Sequence, residues 1–218
     1  TVSANSTSGF SIVSWTGTGV NGTIGHGLST VPEMMIIKNT GHDTNWSVYT
    51  KPTGELGELR INSTSAFVDD ATLYNDTAPT SSVFSVGTNY NTNHSDGRTY
   101  IGYIFSSVQG FSKIGSYTGN GNADGTFVYT GFKPAFVITK ASSASGQGWH
   151  MQDNKRDGFN YDNKRLFANS SDSESGTTRM DLLSNGFKYR DGDGNGNGIT
   201  YIYMAFAEQP LVGDNPAT

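Results

Sequence analysis

One stretch of this chain occurs twice, and that fact constrains the fold more than any other. The first copy begins Gly9-Phe10-Ser11 and runs through Trp15-Thr16-Gly17 to Pro32-Glu33-Met34-Met35-Ile36-Ile37-Lys38. The second begins Gly110-Phe111-Ser112 and runs through Tyr117-Thr118-Gly119 to Pro134-Ala135-Phe136-Val137-Ile138-Thr139-Lys140. Trp46 and Trp149 follow the two lysines, and Tyr100–Phe105 and Tyr201–Phe206 close the two copies. A repeat of this period means that one structural unit is built twice. At roughly 100 residues, each unit has the size of a small β-sandwich.

The elements within each copy read as strands. Short runs of β-branched and aromatic residues alternate with Gly/Asn/Asp turns, and no amphipathic stretch of helical length is present. Strands are predicted over 10–15, 34–38, 46–49, 82–86 and 99–107, with shorter candidates at 23–28, 59–61 and 66–68. In the second copy they are predicted over 111–117, 126–129, 135–140, 148–152, 179–183, 187–190 and 199–206. The expected fold is all-β: two tandem antiparallel β-sandwich repeats, jelly-roll-like. The expected organisation is a linker at 1–8, repeats at 9–108 and 109–208, and a tail at 209–218. The Phe10 and Phe111, Met34–Ile37 and Phe136–Ile138, and closing strands are expected to build the cores. Starting at Thr1 rather than Met, the chain reads as processed, or as a piece of something longer.

Charge and composition exclude several functions. The 218 residues carry a net charge of −5, with no basic cluster beyond two adjacent residues, which argues against a phosphate-binding surface and so against nucleic acid. No apolar run is long enough to span a bilayer. There is no cysteine, so disulfides, thiolate metal sites and a catalytic Cys are excluded. None of the four histidines, His26, His42, His94 and His150, has metal-site spacing. The carboxylates Glu55, Glu58, Asp69 and Asp70 lack counterparts in the second copy and read as solvated loop residues.

Sites are sought where the copies differ, because scaffolds place function in loops. The loops in question are 88–96, 142–147 and 191–197. Tyr90, Asn91, Asn93 and His94 on the first of these, together with Trp149, are candidates for stacking on and hydrogen-bonding a surface glycan. Trp149 also reads as core, since Trp46 sits at the equivalent position. Asp191, Asp193, Asn195 and Asn197 alternate with glycines, as the oxygen ligands of a calcium loop do. Ca2+ is therefore the one cofactor the sequence suggests. The twelfth position is Ile202, not Glu, so the stretch reads more simply as a Gly/Asn hairpin.

The shared motifs resemble those of repeat-containing virion and tail-fibre-like structural proteins of marine bacteriophages. The second copy carries the resemblance through Tyr117-Thr118-Gly119-Asn120-Gly121, Gly131-Phe132-Lys133-Pro134 with Phe136-Val137-Ile138-Thr139-Lys140, Ser184-Asn185-Gly186-Phe187, and Tyr201 to Glu208. The first copy matches more loosely, with Leu28-Ser29-Thr30-Val31-Pro32 in place of the Gly-Phe-Lys-Pro segment. The resemblance implies a non-enzymatic virion component assembled in the host cytoplasm. It implies other virion proteins as partners, a homo-oligomer, most simply a trimer, and contact with the host surface. A capsid decoration protein, or a carbohydrate-binding module or glycan-active enzyme, are the alternative readings.

Overall fold

Nested antiparallel pairing organises each half of the chain. The computed structural model describes residues 1–157, 159–162, 164–174, 176 and 180–209. The first-half strands are β1 (Val2–Asn5), β2 (Phe10–Thr16), β3 (Gly22–Gly25), β4 (Met34–Asn39), β5 (Ser47–Thr50), β6 (Gly54–Arg60), β7 (Val68–Asp69), β8 (Val83–Val86) and β9 (Thr99–Phe105). The second-half strands are β10 (Ser112–Thr118), β11 (Phe127–Tyr129), β12 (Pro134–Ala141), β13 (Trp149–Asp153), β14 (Leu166–Phe167), β15 (Met180–Leu183), β16 (Gly186–Tyr189) and β17 (Thr200–Ala207). The fold is all-β, and every described pairing is antiparallel.

The larger sheets run β1-β2-β9-β4-β5-β6-β7 and β10-β17-β12-β13-β14. The smaller sheets are β3-β8 and β11-β16-β15. In both halves the first repeat strand pairs with the last, which in turn pairs with the strand before the hairpin, so β2-β9-β4-β5 and β10-β17-β12-β13 share one order. The second repeat strand pairs with the next-to-last, as β3 does with β8 and β11 with β16. The outer nesting is jelly-roll-like, while β4-β5 and β12-β13 stay as hairpins within one sheet. The internal sequence repeat is thus a repeat of topology.

Two units result: Thr1–Asn62 with Phe67–Ser106, and Ser63–Ala66 with Ser107–Thr218. The four residues Ser63–Ala66, expected in the first repeat, group with the second unit because their bonds go there. Thr64 O accepts from Gly146 N at 2.9 Å, and Ala66 N donates to Ser145 Oγ at 3.0 Å. Val2–Asn5, expected within a linker, is an edge strand in register with β2. The expected strand at 179–183 is observed from Met180, Arg179 lying outside the described residues, as does the expected tail from Pro210 on.

Alternation decides the cores. In the first unit Val13, Trp15, Met35, Ile37, Tyr100 and Ile104 of the large sheet pack with Phe84 and Val86 of the small one. In the second unit Tyr117, Val137, Tyr201 and Tyr203 pack with Val128, Phe187 and Tyr189. Phe10, expected in the core, belongs to the opposite face of β2, since side chains alternate along a strand. Its ring lies against Phe105 at 4.8 Å, and Phe111 lies against Phe206 at 6.0 Å.

The repeated Thr-Gly has a steric cause. A Cβ at Gly17 would lie 2.3 Å from His94 O, and one at Gly119 would lie 2.3 Å from Gly196 O. The loop leaving the first repeat strand and the loop entering the last one approach so closely in each unit that only glycine fits.

Candidate glycan-binding groove

In the first unit a groove of about 490 Å3 is lined by His42, Asp43, Thr44, Asn45, Asn62, Tyr90 and Asn91. Two of the sequence candidates, Tyr90 and Asn91, are part of it. A third, His94, stacks on the Tyr90 ring with centroids 3.6 Å apart and planes 12° apart. His42 approaches the same ring at 5.9 Å. Tyr90 is half exposed and lines the groove, with His94 stacked on its ring and His42 tilted beside it.

Hydrogen bonds, one of them buried, fix the groove walls. Tyr100 Oη donates to Tyr90 O at 3.0 Å and accepts from His94 N at 2.9 Å and Asn39 Nδ2 at 3.0 Å. That uses the one proton and both lone pairs of a phenol. Burial pushes the Tyr100 hydroxyl above its ordinary value, so it stays protonated and keeps donating. The opposite wall, 41–45, is held by Lys38 Nζ, which donates to Thr44 O at 2.6 Å and His42 O at 3.3 Å. Arg98 also donates to Gly41 O. Asn62 Nδ2 donates to Asn45 Oδ1 at 3.1 Å, joining two lining amides.

Asn91 is held from behind. Its Nδ2 donates to Glu58 Oε1 at 3.0 Å and Oε2 at 3.3 Å, and Arg60 Nε reaches the same Oε1 at 2.6 Å. With the nitrogen committed, Asn91 Oδ1 is left to accept from a ligand. Glu58, expected as a solvated loop carboxylate, is fully buried on β6. Sequence reading missed its burial because Asn91, 33 residues on, meets Glu58 only through the fold, although Arg60 lies two residues along the same strand. His42, Asp43, Asn45 and Asn62 were also missed. They lie in polar stretches whose only sequence signal was proximity to Trp46.

Other candidates are corrected. Asn93 is buried, with Nδ2 donating to Val20 O at 2.7 Å and Gly87 O at 2.8 Å while Oδ1 accepts from Thr18 N at 2.8 Å. It ties two loops and presents nothing to a ligand. Trp149 is 1% exposed and cannot offer a face to a sugar, which leaves its core reading.

Asp191, Asp193 and Asn195 of the calcium-like loop are committed to protein bonds. Asn195 is fully buried, with Oδ1 accepting from Asn120 N at 3.1 Å and Nδ2 donating to Asn120 Oδ1 at 2.8 Å. Asp193 pairs with Arg165 at 2.6 Å, and Asp191 Oδ1 accepts from Asp193 N at 3.1 Å. Asn197 lies beside Gly121, near enough that a Cβ there would meet Asn197 Cβ at 3.0 Å. Among the described residues no group of three or more His, Asp or Glu could hold a metal ion.

The groove therefore offers a braced aromatic plane, amides and one carboxylate, Asp43. Aromatic faces and side-chain amides are groups that can take up a neutral polar ligand without needing a ligand charge. No curated protein and no solved structure matches the chain. Residues 1–210 match the model of a domain family described as a domain of unknown function, DUF7483, and with both units inside that match the chain belongs to this family.

Proposed function

We propose that the protein is a non-enzymatic bacteriophage virion component, part of a fibre or appendage, that contacts a neutral host-surface glycan through the Tyr90 groove. The virion assignment draws on the motif resemblance of the repeats. The glycan assignment draws on one observation: the half-exposed Tyr90 ring, stacked on His94 and fronting a groove lined by Asn45, Asn62 and Asn91. Glycoside cleavage uses two converging carboxyl groups, whereas the groove lining contributes Asp43 alone. A single site of this size binds weakly, and copies on an oligomeric fibre would combine into useful avidity.

The test uses the isolated chain on an array of bacterial surface glycans, beside the Tyr90→Ala variant. Binding by the parent and not by the variant supports the reading. A parent that binds no glycan, or a variant that binds as well as the parent, overturns it. Immunogold labelling of virions addresses location: label on the shell with none on appendages rejects the fibre assignment.

A further inference from the structure

The second unit contains a separate small cavity of about 90 Å3, lined by Lys133, Asp153, Asn154, Phe159, Asn160, Asp162 and Leu182. Asp162 is 2% exposed. Its Oδ1 accepts from Lys164 N at 3.1 Å, but its Oδ2 is buried and has no hydrogen-bond partner among the described residues. A buried carboxylate oxygen without a donor is costly, and native structures rarely leave one so. The other polar groups of the lining are engaged. Lys133 Nζ pairs with Glu208 at 2.7 Å, and Asp153 pairs with Arg156 at 2.8 Å. Asn154 Nδ2 donates to Glu208 Oε1 at 2.7 Å, and Asn160 bonds the backbone of Leu182 through both side-chain atoms, at 2.9 and 3.0 Å.

We infer that this cavity is a binding site for a linear primary alkylammonium group, with Asp162 Oδ2 as its acceptor. Charge selects the class. Once the internal pairs are formed, the carboxylate of Asp162 is the uncompensated charge of the lining. A neutral donor would fill the hydrogen bond and leave the charge unmatched, whereas an ammonium supplies both. Size selects the shape. A volume of about 90 Å3 has room for an aminomethyl end beside the carboxylate. Phe159, 77% exposed, offers its ring to the alkyl stem. The site is independent of the Tyr90 groove and stands or falls separately from it.

Burial pushes the Asp162 carboxyl up to about 6, with Asp157 and Asp153 adding to the rise and Arg156 opposing it. The other charged groups near the cavity are paired among themselves: Lys133 with Glu208, and Lys164 and Arg156 with Glu174. Ammonium binding needs the ionised carboxylate, so affinity is present above about pH 6 and is lost below it.

The experiment is an amide-resolved NMR titration of the full chain with n-propylamine hydrochloride at neutral pH, beside n-propanol. A ligand this small is expected to bind at about 1 mM. Saturable shifts at Phe159, Asn160 and Asp162 with the amine and none with the alcohol support the site. Asp162→Asn is expected to lose binding at least tenfold, and Phe159→Ala, a surface change, severalfold. Equal response to the alcohol, no saturation by about 100 mM, or unchanged binding by both variants overturns the proposal. Should Asp162→Asn fail to fold, the alcohol control and Phe159→Ala decide.

Discussion

Asn93 and Asn195 hold equivalent places in the two repeats, and each ties the loop before the last strand to the loop after the first. Asn93 reaches Thr18 and Val20, and Asn195 reaches Asn120 and Asn122. Replacing either with Ala removes these part-buried bonds, at about 0.5–1.5 kcal/mol each. Asn93→Ala and Asn195→Ala should therefore each lower the thermal midpoint of their own unit. Differential scanning calorimetry checks this, and a midpoint unchanged in both variants refutes the tie.

Tyr90 is the exposed counterpoint to these buried amides. Tyr90→Ala should weaken glycan binding about tenfold, since an aromatic contact is worth about 0.5–1.5 kcal/mol beyond its area. Tyr90→Phe should keep most of the affinity, because the ring plane carries the contact. Trp149→Ala should instead cost about 3–5 kcal/mol of stability and leave the intrinsic glycan affinity of folded protein unchanged. Isothermal titration beside chemical denaturation separates these outcomes.

Glu58 should be intolerant of truncation. Glu58→Ala leaves Arg60 and the Asn91 amide facing a buried gap, and breaking a buried pair from one side costs about 3–5 kcal/mol. Glu58→Gln retains an acceptor for Asn91 and should be milder. Urea denaturation of the two variants checks the order.

Two buried groups of the second unit pull its acid stability in opposite directions. His150 is held down to about 4, first by burial and then by the Arg165 guanidinium beside it. Between about 4 and 6.5 the unfolded chain takes up a proton there that the folded one refuses, so this group makes stability fall as pH falls. Asp162, held up to about 6, binds its proton more readily in the fold, so from about 6 down to 3.8 it makes stability rise. His150→Gln should flatten the loss on acidification. Asp162→Asn should stabilise by roughly 2 kcal/mol at neutral pH, an advantage that disappears below about pH 4. Denaturation midpoints of parent and variants between pH 4 and 7.5 check both signs.

Glycine at the repeated Thr-Gly should be irreplaceable. Gly17→Ala and Gly119→Ala each force a methyl into a backbone carbonyl, and the strain should cost at least about 1–3 kcal/mol. Tolerance of Ala at both positions, judged by thermal unfolding, would contradict the close approach.

What the sequence made legible was what the two copies share. Strand alternation, the paired Pro-initiated strands and the Thr-Gly turns all reflect local rules that repeat. Less legible was anything set by partners brought together from distant positions. Asn195 looked like a ligand because Asp-Gly-Asp-Gly-Asn carries oxygen donors, and only the fold reveals that they are spent on Asn120, Asn122 and Arg165. Tyr90, Asn91 and His94 were found for the right reason, an aromatic and polar loop where the copies diverge. The facing wall from His42 to Asn45 carried no such mark. Asp162 gave no signal at all, since its character comes from burial and not from its neighbours in sequence.

The nested pairing also has a consequence for how the chain is made. The strand that joins the first repeat strand to the rest of each large sheet, β9 or β17, is the last of its unit to leave the ribosome. Until it arrives, β2 and β4, or β10 and β12, have no common partner, so the hairpin-built pieces β4-β5-β6-β7 and β12-β13-β14 stay unjoined to β2 and β10. Such long-range closure folds slowly, and slow folding of similar neighbouring repeats invites one to capture the other's strand. The order of synthesis limits that exchange, since β9 can take its slot before β17 exists. Refolding the full chain from denaturant removes this head start, and should give more misassembled product than cell-free synthesis of the same sequence.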